Sequence, residues 1–374
     1  EPSYESVNPR KELTEFSLEL LSENLSHGNC LISPLSIVSA LGMTANGAEG
    51  STRAQMEQMM HTDTAVLNDY LKAYTDYMPN SEACQVNIAN SIWFRDRDSL
   101  AINEDFLKTS RNYYDASIFE APFDAGTRDD INSWVKKETN GMIQKLLEEA
   151  PPRDAVMYLV NALSFDGEWR DIYKKNQIHK GTFNAENGEH QSAEFMYSTE
   201  AVYLENTLGR GFLKPYGDGA YAFAAVLPDE GMTMKEFLER LKENGITDLL
   251  EQTRNKTVCV RLPKFTVEYN VVLNESLTES GMKDAFDSQK ADFSSMAHSD
   301  NDNIYISKVI HKTKIDVDEK GTKAGAVTAV EVSEGSAVQT EEPKEVFLDR
   351  PFFYMIIDTR QNFPLFMGCL MQLE

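Results

Sequence analysis

Residues 316–343 read DVDEKGTKAGAVTAVEVSEGSAVQTEEP, and the reading of this stretch decides the fold. It carries Gly321, Gly325 and Gly335, no aromatic residue, and no Lys or Arg between Lys323 and Lys344. So small and polar a composition belongs to loops, and structureless loops of this length are uncommon in compact domains unless they are functional. Taken two at a time, however, Thr322, Ala324, Ala326, Thr328, Val330 and Val332 form a row of small or β-branched side chains at the strand period. The alternate row, Lys323, Gly325, Val327, Ala329, Glu331 and Ser333, carries both charges. Loop composition laid over strand periodicity implies a segment with two states, exposed in one and paired within a sheet in the other. An edge hairpin with a long tip accounts for the same pattern.

At 374 residues and 41% hydrophobic composition the chain can bury a large core. No linker, repeat or low-complexity tract divides it, so residues 1–374 are read as one domain. The net charge of −24 argues against nucleic acid, anionic membrane and heparin-like polyanions as partners, because each needs clustered Lys and Arg. Cys30, Cys84, Cys259 and Cys369 lack CxxC or Cys/His metal spacing and are read as core thiols, with a disulfide left open. No apolar run reaches 18 residues. The N-terminus, EPSYESVNPRKEL, shows neither a signal peptide nor a Met start, so a mature or trimmed form is expected.

Leu13, Phe16, Leu18, Leu20 and Leu21 among charges predict an amphipathic first helix over 8–23. Ser33-Pro34 suits a helix start with Pro at its first position, followed by Ile37, Ala40, Leu41 and Met43 at helical spacing. QVNIANSIWFRD (85–96) reads as a strand. FEAPFDAGTRDDINSWVKKETNGM gives a strand near Ile118–Phe119, then a helix with Ile131, Trp134 and Val135 inward and Gly141 as its stop. AVMYLVNALSFDGEWR is too apolar for a half-exposed strand and belongs at the centre of a covered sheet, with Asn161 a polar residue at a core position.

DEKGTKAGAVTA, preceded by SKVIHK (307–312) and followed by RPFFYMI (350–356) and PLFMG (364–368), closely resembles the hinge, reactive loop and C-terminal strands of the serpins. SPLSIVSALGM, NGAEGSTRAQM, YAFAAVLPDEG, TVCVRLPKFTVEYNV and KDAFDSQKADFSSM match serpin segments in order, and Gly281-Met282 and Ala285-Phe286-Asp287 are diagnostic. The resemblance covers nearly the whole chain. It implies an α+β serpin fold with three mixed β-sheets, eight or nine helices and an exposed reactive-centre loop over about 319–345. It also implies that the helix at Ile131–Val135 lies across the main sheet.

No catalytic or metal motif stands out. The six His residues fall in no HExxH, no close pair and no GxSxG context. No cofactor or metal is expected, and the chain is read as no enzyme. Ser33, Ser36, Asn161 and His311 can be drawn as a triad with an amide, but the serines open an apolar helix and His311 lies within a strand, so a buried hydrogen-bonded cluster is the better reading. Under the resemblance these four are the shutter beneath the centre of the sheet. Trp169 and Lys264 match the breach at its top. Glu319, Gly321, Thr322, Ala324, Ala326 and Thr328 match the hinge, and an ion pair between Glu319 and Lys264 is expected.

The resemblance implies a suicide substrate for a serine protease, held as a covalent acyl-enzyme when the cut loop inserts as a strand. The small inward row fits an inhibitor, and the departures at Lys323 and Gly325 fall on the outward row. A non-inhibitory carrier or chaperone is the alternative. In the family the chain resembles, the scissile bond falls about sixteen residues after the hinge Glu, ~53 Å of strand, which from Glu319 lands near Gly335-Ser336. Counting back from RPFF slides it toward Thr340, giving a window of Glu334, Gly335, Ser336, Ala337, Val338, Gln339 and Thr340. Small residues there point to elastase-like or subtilisin-like targets, with Ala337 and Val338 as elastase baits; a Glu-specific protease would cut after Glu334. A monomer acting outside the cell is expected. Asn24, Asn255 and Asn274 head Asn-x-Ser/Thr triplets.

Overall fold

In the computed structural model the described residues are 8–25, 28–96, 100–152, 154–251, 253–300, 303–322 and 344–373. The chain runs through α1 (Arg10–Glu23), β1 (Cys30–Ile32), α2 (Pro34–Ala45), α3 (Gly50–Met59), α4 (Thr64–Asp76), β2 (Cys84–Arg95), β3 (Ala101–Ile102), α5 (Glu104–Tyr114), β4 (Ser117–Ala121), α6 (Ala125–Glu138) and β5 (Met157–Glu168). It continues through β6 (Ile178–Asn184), β7 (His190–Glu200), β8 (Val202–Glu205), β9 (Gly209–Pro215), β10 (Tyr221–Pro228), α7 (Met234–Asn244), α8 (Ile246–Glu251), β11 (Thr253–Arg254), β12 (Val258–Pro263), β13 (Phe265–Val272) and α9 (Asn274–Glu279). The last part holds β14 (Ala297–His298), β15 (Lys308–Val317), β16 (Gly321–Thr322), β17 (Lys344–Phe347), β18 (Phe352–Asp358) and β19 (Phe363–Leu370).

Three large sheets form, in the orders β1-β19-β18-β10-β9-β8-β11, β17-β12-β7-β6 and β13-β15-β16-β5-β2-β4. A two-stranded ribbon, β14-β3, adds a small fourth. The six-stranded and four-stranded sheets mix strand directions, whereas the seven-stranded one is antiparallel throughout. With nine α-helices among the described residues, this is the α+β arrangement expected.

The six-stranded sheet is covered on both faces, which is why β5 is apolar on both rows. Met157, Leu159, Leu163 and Phe165 join the main core. Tyr158, Val160 and Ala162 join a second core closed by α6 through Ile131 and Val135, with Trp134 packed at its side. Thus α6 does lie across the sheet. Thr139 caps it, and Gly141 follows at φ 77°, a conformation that glycine adopts without strain. On the other face, α2 is buried along its whole length, its Ser39 and Thr44 hydroxyls donating to the Leu35 and Ala40 carbonyls within the helix. Ser33 caps it by accepting a hydrogen bond from the Ser36 N–H at 3.3 Å, and Pro34 stands at its first position.

Cys30 and Cys369 face one another across β1 and β19, and all four cysteines are free thiols. Cys259 departs from the core reading, being only half-buried.

Candidate functional site

Register in the six-stranded sheet places the site. β5 and β15 run parallel and pair directly from Tyr158–Ala162 with Lys308–Lys312. Above that level β16 stands between them, with Thr322 opposite both Val317 on β15 and Gly167 on β5. The strands are therefore joined at the bottom and parted at the top, and the residues that part them are Gly321 and Thr322, the second of which begins the small-residue row. Gly321 must be glycine, since a Cβ would stand 2.0 Å from the Gly167 carbonyl oxygen. Thr322, on the inward row, is buried, and its hydroxyl lies 2.5 Å from the Tyr216 hydroxyl.

Beneath the lower end lies the polar cluster that pairs sequence-distant residues. His311 and Asn161 are direct partners across β15 and β5. The Ser33 N–H donates to His311 Nε2 at 3.1 Å, which leaves the proton on Nδ1, where it meets no hydrogen-bond partner among the described residues. Burial alone drives the imidazole down to about 3, so it is neutral. The Ser36 hydroxyl donates to Asn161 Oδ1, and Asn161 Nδ2 donates to the Ser36 carbonyl at 2.8 Å and to Asn90 Oδ1 at 2.6 Å. His311 thus meets a serine main-chain N–H and not a hydroxyl, and so neutral and buried a ring is a poor general base. Asn90 was missed by sequence reasoning. Its signal is the same as that of Asn161, a polar residue inside an apolar strand, and the two pair across β2 and β5.

At the top, Lys264 reaches Glu319 at 2.8 Å and Glu194 at 3.2 Å, so the expected ion pair forms and gains a third member. Burial would lower the Lys264 ammonium, but the hydrogen bonds to Glu319 and Glu194 outweigh it and raise the group. The bond from Lys264 holds the Glu319 carboxyl below its usual range. Trp169 grips the hinge twice: its indole N–H donates to the Asp318 carbonyl and its main-chain N–H to the Lys320 carbonyl, both at 2.8 Å. The Tyr173 N–H donates to the Glu319 carbonyl at 3.0 Å. Asp318 turns the chain by accepting from the Lys320 and Gly321 N–H groups.

The structure therefore brings Ser33, Ser36, Asn161 and His311 together at one level and Trp169, Lys264, Glu319, Gly321 and Thr322 at another. Sequence reasoning missed Tyr216, Tyr173 and Glu194. Ala324, Ala326 and Thr328 of the hinge, and Glu334, Gly335, Ser336, Ala337, Val338, Gln339 and Thr340 of the scissile window, lie outside the described residues.

Such a site, a covered central sheet parted at one end by the start of a small-residue segment and underlain by a polar cluster, defines a class of protein organised around one sheet. The model for the family Serpin (serine protease inhibitor) matches residues 11–373. The chain belongs to the serpin family. It is 30% identical to the leukocyte elastase inhibitor of Homo sapiens over 375 residues, covering 95% of this chain and 97% of that protein. It is 31% identical over 350 residues to an uncharacterized serpin-like protein of Methanosarcina mazei, covering 91% of this chain and 80% of the relative. The crystal structure of a thermophilic serpin, Tengpin, in the native state superposes with a TM-score of 0.91 at 44% identity, over 97% of this chain and 94% of that one. Tengpin in the latent state gives 0.85 at 43% identity, over 98% of each chain.

Proposed function

We infer that this chain inhibits a serine protease as a suicide substrate. The protease serine attacks a carbonyl within Glu334–Thr340, the peptide bond breaks, and the downstream segment leaves with a free amine while the upstream segment stays esterified to the enzyme. The freed loop then inserts between β5 and β15, as a strand added to a sheet, and carries the ester-linked protease away before water completes hydrolysis. The chain supplies bait and movement, and the protease supplies all the chemistry.

What supports this reading is the register. Continued downward in the register of Gly321 and Thr322, an inserted strand would bring Ala324 beside Ile315 and Phe165, Ala326 beside Thr313 and Leu163, and Thr328 between His311 and Asn161. Val330 would follow beside Val309 and Leu159. The parallel stretch of β5 and β15 runs at the same offset as the pairings through Thr322, so one register serves top and bottom without a bulge. In that register small side chains would fill the upper levels, and the one hydroxyl among 324–332 of the inward row would reach the His311 Nδ1–H, which has no partner among the described residues.

The window holds small residues and no Arg, Lys or aromatic side chain. Elastase-like or subtilisin-like enzymes are accordingly the targets we infer, in keeping with the name of the human relative. The test is incubation with elastase-like, subtilisin-like and trypsin-like proteases followed by a denaturing gel. An SDS-stable complex is expected, with a released fragment beginning between Gly335 and Glu341. Cleavage in the window without a complex would overturn the reading in favour of a carrier or chaperone.

A further inference from the structure

Beneath the hinge lies an ion pair that none of these steps uses. Lys214 on β9 and Glu200 at the end of β7 meet at 2.8 Å, with side-chain exposures of 2% and 7%. The pair ties two sheets together, since β9 belongs to the seven-stranded and β7 to the four-stranded sheet. Above it is the top of the third. The Lys214 ammonium lies 4.5 Å from the Tyr173 ring centre and 5.4 Å from that of Trp169. Glu200 Oε1 also accepts from the Ser198 hydroxyl at 2.6 Å, and that hydroxyl lies 3.2 Å from the Tyr173 hydroxyl.

Trp169 and Tyr173 are the residues whose N–H groups hold the Asp318, Glu319 and Lys320 carbonyls. Two residues beyond Lys214, Tyr216 stacks on Trp169 with ring centres 4.4 Å apart and planes 10° from parallel, and its hydroxyl meets Thr322. Apart from the Lys264 contact, each of these grips on the hinge rests on a ring that touches Lys214 or follows it by two positions.

Burying two charges is costly, and well-packed apolar residues of similar volume are often as stable or more so. Stability therefore does not account for a lysine and a glutamate at this junction. What they add is direction: a cation fixed under two aromatic faces and held sideways by a carboxylate. We propose that the Lys214–Glu200 pair is a positioning element that props Trp169 and Tyr173 against the hinge, so that residues 318–320 stay anchored until the loop is cut. Its consequence for inhibition rests on the insertion reading above; the anchoring itself does not.

The test is the double variant Lys214→Met/Glu200→Gln in the full chain, which removes both charges and strands neither. If its far-UV circular dichroism is not native, Lys214→Gln/Glu200→Gln takes its place. In the uncut protein, amide hydrogen exchange at Trp169 and Tyr173 is expected to rise about tenfold, the factor for roughly one hydrogen bond of opening free energy. Exchange at Met355, central in β18, is expected to stay unchanged. On warming, the uncut variant is expected to lose inhibitory capacity about tenfold faster than the parent while starting from the same capacity. Unchanged exchange at Trp169 and Tyr173, or an equal rise at Met355, would reduce the pair to ordinary core and overturn the proposal. If the parent protein traps no protease, the insertion reading falls and the exchange measurement still decides the anchoring.

Discussion

Gly321 lies against Gly167 so closely that a Cβ on Gly321 would come within 2.0 Å of the Gly167 carbonyl oxygen. The obstructing atom is main chain held by the β16–β5 pairing, so it cannot swing aside. Gly321→Ala is therefore expected to push the hinge out from between β15 and β5 and to hinder the first step of insertion. Overpacking costs about 1–3 kcal/mol, so the moles of inhibitor consumed per mole of protease trapped should rise about tenfold. An unchanged ratio, read from complex and cut bands on a denaturing gel, would mean that the hinge enters elsewhere.

The Lys264–Glu319–Glu194 cluster makes hinge retention depend on pH. The Glu319 carboxyl is held below its ordinary 4.5, so its contribution is present above that pH and is lost as pH falls through the lower, folded value. The Lys264 ammonium is raised above 10.5, so its contribution is present below that pH and is lost only above it. Retention should therefore be level between about 4.5 and 10.5 and weaken on the acid side. Because Glu319 is partly exposed, solvent limits the pair to about 0–1 kcal/mol. Glu319→Gln should thus speed spontaneous inactivation of uncut protein about two- to fivefold at pH 7 and flatten the part of the acid limb that lies below pH 4.5, leaving the part that His311 contributes. Inactivation rates measured from pH 3 to pH 8 check both parts.

Much of this site is legible in residues close together in sequence. Ser33-Pro34 announces a helix start through capping chemistry and AVMYLVNALSF a central strand through its unbroken apolar run, while of the row with a period of two only Thr322 lies among the described residues. The shutter and breach assignments came through the resemblance, because nothing local ties Ser36 to Asn161 or Glu319 to Lys264. The rest depended on which sheets meet. Lys214 in GFLKPYG reads as a surface lysine and Glu200 in STEAVY as a surface acid. Only the stacking of β7, β9 and the end of β5 turns them into a buried pair. Tyr216 likewise gains its role from Thr322, 106 residues away.

His311 should leave its own mark on native stability. Burial lowers the imidazole from 6.5 to about 3, so the folded protein keeps it neutral where the unfolded chain protonates it. Its contribution is complete above pH 6.5 and is lost progressively as pH falls toward 3. At pH 5 the loss is about 2 kcal/mol, or a few degrees of Tm. His311→Gln keeps an acceptor for the Ser33 N–H without the titration. Its Tm should fall less between pH 7 and pH 5 than that of the parent, and parallel curves would show that the ring is protonated or solvated in the fold.

Thr328 carries the test most specific to the inserted state. In the uncut protein His311 and Asn161 pair directly, with no strand between them at that level. After a cut in the window, insertion in the proposed register would bring Thr328 between them, and its hydroxyl could accept from the Nδ1–H that has no partner among the described residues. Insertion adds about ten ladder bonds at ~0.5–1.5 kcal/mol each, so cutting the parent should raise Tm by ~20 °C. Thr328→Val keeps the branched shape and removes the acceptor, so it should leave the uncut Tm unchanged and lower the cut-form stability by about 1 kcal/mol. Equal effects on both forms would mean that Thr328 acts outside the sheet, and a cut that leaves the parent Tm where it was would mean that no strand enters at all.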